Sequence, residues 1–133
     1  MIKRNFLKLF LYSGIFAFFY PVLRFMGIRK HRPPEEVIVS KILKPDEFLI
    51  EKKFVIFNND GNFLCVSRKC THLGCVINYE HQKKMFVCPC HKSMFNWDGK
   101  FIEGPAKKDL MIFEIAKLED NKGYLVKIPR QVK

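Results

Sequence analysis

Two short loops limit what this chain can fold into. Cys70-Thr71-His72-Leu73-Gly74-Cys75 and Cys88-Pro89-Cys90-His91-Lys92-Ser93 each hold a cysteine and a histidine at close spacing, as Cys70-x-His72 and Cys88-x-x-His91. Fifteen residues separate His72 from Cys88. A strand, a turn and a strand fit there (Val76–Tyr79, Glu80–Lys84, Met85–Val87), so a hairpin would set the loops side by side. Four of the five cysteines fall in these loops, and such grouping in a short chain marks a metal site or a disulfide. Two thiolates and two imidazoles suit tetrahedral zinc. A zinc finger, however, pairs Cys with Cys and His with His along the chain. The same donors suit a binuclear iron–sulfur centre with cysteines on one iron and histidines on the other. Each loop then gives one ligand to each iron, which matches the mixed order here.

The rest of the chain supports a small β domain. From residue 37 the pattern is short strands at Val37–Val39, Phe48–Ile50, Phe54–Phe57, Phe63–Val66, Val76–Tyr79, Met85–Val87, Met94–Trp97, Ile112–Ala116 and Tyr124–Ile128. Turn signals at Asn58-Asn59-Asp60-Gly61, Asp98-Gly99 and Asn121-Lys122-Gly123 separate them. No long helical period follows residue 36, so the head is expected to be an all-β sandwich or barrel. About 100 residues make a thin core that a metal or disulfide would staple. Cys65 is expected to be a buried strand residue, Trp97 and Phe101 core, and His81 an exposed residue in a hairpin turn.

The N-terminus differs in kind. Leu9–Leu23 is a run of 15 uncharged residues flanked by Lys8 and Arg24. Fifteen helical residues reach about 22 Å, short of a hydrocarbon core of roughly 30 Å. Snorkelling of Lys8 and Arg24 would let Phe6–Met26 span. Residues 1–26 are therefore expected to be a signal anchor, residues 27–36, with Pro33-Pro34, a semi-rigid tether, and residues 37–133 the head. Residues 1–34 hold seven Lys/Arg and no acid, against 17 Lys/Arg and 13 Asp/Glu in residues 35–133. That asymmetry points to a membrane surface or membrane protein as neighbour. No basic stripe interleaved with aromatics suggests nucleic acid. Lys3-Arg4-Asn5-Phe6-Leu7-Lys8 resembles a twin-arginine export signal, with Lys3 in place of the first arginine.

Residues 70–106 resemble the Rieske iron–sulfur protein of cytochrome bc-type complexes. The family pattern Cys-Thr-His-Leu-Gly-Cys stands intact at 70–75, and Gly-Pro-Ala at Gly104-Pro105-Ala106. Cys-Pro-Cys-His-Gly-Ser is matched at 88–93, except that Lys92 replaces its glycine. The resemblance implies a Rieske-type antiparallel β-sandwich head behind an N-terminal transmembrane helix, with one [2Fe–2S] cluster per chain. It implies Cys70 and Cys88 on the inner iron, His72 and His91 on the outer iron near the surface, and a Cys75–Cys90 disulfide tying the loops. Ser93 would hydrogen-bond a bridging sulfide. Leu73, Pro89 and Pro105 would cap the cluster. Phe95 stands where high-potential members carry a tyrosine whose hydroxyl bonds a ligand sulfur, so the lower or middle part of the Rieske range, roughly −150 to +300 mV, is expected.

The disulfide pair discriminates within the family. Rieske ferredoxins and aromatic-ring dioxygenases generally lack it and the quinol-oxidising type has it. It also implies a compartment outside the reducing cytosol. The resemblance therefore implies a subunit of a membrane quinol-oxidising complex, with His72 and His91 meeting quinol. The partners implied are a cytochrome b subunit, a c-type cytochrome and the bacterial inner membrane, with the head on the periplasmic side. The small subunit of a molybdenum-dependent arsenite oxidase shares residues 70–93 in this sense and is the rival reading. A structural zinc module is the third.

Overall fold

A computed structural model describes residues 12–21, 24, 33–119 and 122–130. The chain divides into two compact units, residues 1–32 and 33–133. In the first, residues 12–21 and Arg24 are helical. Phe16 meets Tyr20 one turn on, ring centroids 5.8 Å apart. Among the described residues no helix is long and apolar enough to cross a membrane. Much of the expected anchor and tether lies outside the described residues.

The described residues of the second unit form ten strands: β1 Glu35–Val39, β2 Phe48–Ile50, β3 Phe54–Asn59, β4 Asn62–Ser67, β5 Asn78–Glu80, β6 Met85–Val87, β7 Met94–Asn96, β8 Phe101–Glu103, β9 Ile112–Lys117 and β10 Tyr124–Ile128. They form a six-stranded sheet in the order β1-β10-β9-β4-β3-β2 and a four-stranded sheet in the order β5-β6-β7-β8. Every pairing is antiparallel. The all-β antiparallel head is thus as the sequence led us to expect.

Strand β3 shows how the sequence builds two cores. Successive side chains point to opposite faces, yet Phe54 through Asn58 are all buried, so this strand is covered on both sides. Phe54 and Ile56 enter a core with Val39, Leu43, Cys65, Phe113, Tyr124 and Val126. Val55 and Phe57 enter another with Val66, Cys70, Ile77, Phe86, Cys88 and Phe95. The second core reaches up to the cysteine loops, so packing between the sheets sets where the loops sit. In the first core the Tyr124 hydroxyl accepts the Leu43 N–H at 3.0 Å. The Leu43 carbonyl accepts from Asn58 Nδ2 at 3.0 Å. This buried chain is fully paired, as burial demands.

The four-stranded sheet brings three loops to one end. Asn78 pairs with Val87, Val87 with Met94, and Met94 with Glu103. Residues 70–77 lead into β5, residues 88–93 join β6 to β7, and residues 104–109 leave β8. All three therefore meet beyond the same rung. At the far end a 3-10 turn, His81–Lys83, closes the β5–β6 hairpin.

Several expectations shift by a residue or two. β1 begins at Glu35, inside the expected tether. The strand expected at Val76–Tyr79 is β5, Asn78–Glu80, because Val76 only bridges Lys69 and Ile77 is fully buried beneath the loop. Trp97 falls outside β7, since Gly99 donates to the Asn96 carbonyl in a turn. Strand β8 was not foreseen. It is three residues long and only its first is partly buried. Cys65 is fully buried, and Trp97 and Phe101 pack against the second core, as expected.

Candidate metal centre

The two cysteine loops share one backbone design. In the first, Cys70 N–H donates to the Cys75 carbonyl at 2.8 Å and Gly74 N–H to the Cys70 carbonyl at 2.9 Å. In the second, Cys88 N–H donates to the Ser93 carbonyl at 2.9 Å and Lys92 N–H to the Cys88 carbonyl at 3.0 Å. Each loop is thus six residues folded over its leading cysteine. The fifth position takes a left-handed conformation in both, Gly74 at φ 78° and Lys92 at φ 58°. A residue with a Cβ is strained there by about 1–2 kcal/mol, which accounts for glycine at this place in the family pattern. Lys92→Gly is accordingly expected to raise stability by about 1 kcal/mol, seen as a higher urea midpoint. A lower midpoint would mean that the lysine stem makes a compensating contact.

The donors are layered by depth. Cys70 is 2% and Cys88 1% exposed. His72 is half-buried, and His91 is exposed. The imidazoles stand edge to face with centroids 5.0 Å apart. Burial pushes the Cys70 thiol pKa up, the adjacent Cys88 thiol adds to the rise, and hydrogen bonds from the His72 backbone and the Ser93 hydroxyl oppose it. Two thiolates packed together and cut off from water need a cation between them. His72 Nδ1 is buried without a hydrogen-bond partner, an expensive state for a ring nitrogen that a metal would relieve. Two buried sulfurs, an orphaned imidazole nitrogen and a second imidazole beside it fit a metal centre with sulfur inside and nitrogen outside. By contrast Cys65, its thiol pKa pushed up to about 12 by burial, is inert.

Three ties hold the loops together. Cys75 and Cys90 are joined by a disulfide with Cα atoms 6.7 Å apart. The sulfurs of Cys75, Cys88 and Cys90 lie within 4.8 Å of one another, so the bridge runs beside one of the free buried thiols. Ser93, fully buried, accepts the Ala106 N–H on its hydroxyl at 3.1 Å, joining the second and third loops. Thr71 donates its hydroxyl to the Lys108 carbonyl at 2.7 Å, joining the first and third.

Every residue singled out from the sequence at this centre, Cys70, His72, Cys75, Cys88, Cys90, His91 and Ser93, comes to this one end of the sheet. Leu73, Pro89 and Pro105 are exposed around it. His81 lies at the far end, exposed, its ring 4.8 Å from that of Phe48. Sequence reasoning gave no role to Thr71. It also missed how closely Gly104 lies on the second loop: a Cβ there would come within 2.5 Å of Ser93 Cα. A hydroxyl inside the first motif and a glycine opening the third were the available signals.

The Rieske [2Fe-2S] domain family matches residues 36–116. The chain is 38% identical over 72 residues to the cytochrome b6-f complex iron-sulfur subunit of Chlorobaculum tepidum, covering 54% of this chain and 39% of that one. It is 33% identical over 99 residues to the chloroplastic cytochrome b6-f complex iron-sulfur subunit 1 of Nicotiana tabacum, covering 73% of this chain and 41% of that one. The chain thus matches about two fifths of the length of these relatives. Among solved structures, the quaternary ammonium Rieske monooxygenase CntA superposes with TM-score 0.53 at 14% identity, over 77% of this chain and 34% of that one. That likeness is one of fold.

Proposed function

Because the chain belongs to the Rieske [2Fe-2S] family, whose cluster is its cofactor, we propose that it is the electron-transfer subunit of a membrane quinol-oxidising complex. The Cys75–Cys90 bridge carries this reading. It staples the two loops in the way that the resemblance assigns to the quinol-oxidising type, and it suits an oxidising compartment. The curated relatives, named as cytochrome b6-f subunits, support the same class.

In this reading Cys70 and Cys88 would hold the cluster on its buried side, and His72 and His91 on its outer side. The cluster, when bound, supplies one-electron chemistry at a potential raised by its neutral imidazole ligands. The chain's own residues do the rest. His72 and His91, at the outer edge, each keep one ring nitrogen free to carry a proton, so electron and proton can leave the same quinol together. Leu73, Pro89 and Pro105 shield the inner sulfurs from water. Ser93 directs its hydroxyl to the sulfur side. Residues 1–26 anchor the head to the bacterial inner membrane on its periplasmic side, and the segment from residue 27 up to the start of β1 at Glu35 tethers it between a cytochrome b partner and a c-type cytochrome.

Phe95 tunes the centre downward. It is fully buried on β7, and its ring has no hydroxyl to offer a ligand sulfur. Phe95→Tyr is expected to raise the midpoint potential by roughly 40 mV, the equivalent of a bond about 1 kcal/mol stronger in the reduced state. Voltammetry with no rise would count against it. A potential in the lower or middle part of the Rieske range would suit menaquinol as donor.

The reading is tested on native membranes carrying the full chain. A menaquinol analogue should reduce the cluster to its EPR-visible form, and arsenite should not. Reduction by arsenite and not by quinol would place the chain in an exported molybdenum oxidoreductase instead.

A further inference from the structure

The end of the head that carries the two histidines is ringed by lysines. Lys69 precedes Cys70, Lys92 follows His91, and Lys107 and Lys108 follow Ala106 in the third loop. All four are exposed. Among the described residues none of them is in an ion pair. Segments 69–75, 88–93 and 104–109 contain a single acid, Asp109. That carboxylate is already taken by Lys100 Nζ at 2.9 Å and the Phe101 N–H at 2.9 Å. Within the ring Leu73 is 69% exposed, with Pro89 and Pro105 also exposed.

An apolar centre inside a charged rim is the anatomy of a protein–protein contact. The rim is held in shape. The Thr71 hydroxyl bonds the Lys108 carbonyl, which draws the third loop's lysines toward the first loop. Lys92 sits in a loop pinned by the Cys75–Cys90 bridge. A neutral quinol offers lysines no opposite charge, whereas a carboxylate-rich protein face does. We propose that this end of the head docks an acidic electron-accepting protein, its lysine rim meeting carboxylates and Leu73 lying at the centre of the contact. The inference rests on the electron-transfer reading and adds the chemistry of the partner. Rim charges of this kind act mainly on the rate of encounter, which falls as salt screens them.

The test uses the full-length chain in detergent, with its cluster present and reduced chemically. It is mixed in a stopped-flow instrument with an acidic c-type cytochrome and, separately, with a basic one of similar potential. Salt is raised from about 0.01 M to about 0.15 M, which shortens screening from roughly 30 Å to about 8 Å. The second-order rate with the acidic cytochrome should fall about tenfold or more. The rate with the basic one should not fall. The double variant Lys107→Glu, Lys108→Glu keeps the backbone carbonyl that Thr71 uses. It should retain the EPR signal and lose about tenfold of the low-salt rate.

A rate with the acidic cytochrome that ignores salt would overturn the proposal. So would a double variant with an unchanged rate. If the variant lost only adsorption to phosphatidylglycerol vesicles, the rim would be a lipid contact and the proposal would fall. Because reduction is chemical, quinol plays no part in the readout. Intact salt dependence without quinol reduction supports the rim and counts against the donor alone.

Discussion

Cys75→Ser is expected to lower the stability of the head by about 3 kcal/mol and to empty most of the protein of its cluster. The bridged cysteines are 15 residues apart, and closing a loop of that size removes about 3 kcal/mol of chain entropy from the unfolded state. A domain of about 100 residues has only of order 5–15 kcal/mol in hand. The bridge also links the loop bearing His72 to the loop bearing His91. Without it the imidazoles, 5.0 Å apart by centroid, depend on the β5–β6 pairing and the core beneath the loops and on the Ser93–Ala106 and Thr71–Lys108 bonds of the third loop. The substitution further leaves Cys90 as a thiol in the same group of sulfurs as Cys88, free to compete for metal or to oxidise. Urea unfolding and iron content of the full chain check this. An unchanged urea midpoint with full iron would show that the third loop suffices.

Gly104→Ala acts on the same assembly from the other side. Gly104 has φ 105°, and an added Cβ would lie 2.5 Å from Ser93 Cα, 3.0 Å from its nitrogen and 3.1 Å from the Lys92 carbonyl oxygen. These are backbone atoms of the second loop and cannot swing aside as a side-chain tip would. Strain at such a φ costs roughly 1–3 kcal/mol, and overpacking another roughly 1–3 kcal/mol. The third loop must therefore lift away, breaking the 3.1 Å bond from Ala106 N–H to the Ser93 hydroxyl. The expected outcome is a loss of about 3 kcal/mol together with faster cluster loss on dilution into chelator. Ala106→Gly serves as control, since it keeps that N–H and adds no atom. A Gly104→Ala protein as stable as the parent would show that the loops are less tightly opposed than described.

How much of this was legible beforehand follows from what each kind of residue reports. Cys70, His72, Cys88 and His91 declare their chemistry by type and spacing, and the turn between Tyr79 and Met85 fixes the hairpin that joins them. That these candidate residues would meet was therefore readable from two hexapeptides and a gap. The pairing of Cys75 with Cys90 came from resemblance, because spacing alone leaves cysteine connectivity open. Strands with alternating or continuous apolar runs, such as Phe54–Phe57 and Tyr124–Ile128, were plain. β8 was not, since Phe101-Ile102-Glu103 forms a strand only by pairing with β7 across a bulge. Val76 reads as a strand residue by propensity, yet the loop's own bonding withdraws it. The depth order, cysteines buried and histidines outward, is a matter of packing between the two sheets and has no local signature. Nor does the approach of Gly104 to Ser93, two residues that only the fold brings together. Lys92 is the instructive case. It stands where the family pattern has glycine, and the parallel bonding of Gly74 and Lys92 in two matching loops shows the left-handed conformation that this glycine serves.

The central claim is that buried thiols and outward imidazoles grip two iron atoms unequally. The direct test is iron and acid-labile sulfide analysis of the freshly purified full chain, with EPR after dithionite reduction. The account predicts two irons and two sulfides per chain and a reduced signal showing nitrogen coupling from His72 and His91, lost in His72→Ala. Zinc in place of iron, no labile sulfide, or a signal with four sulfur ligands would contradict it.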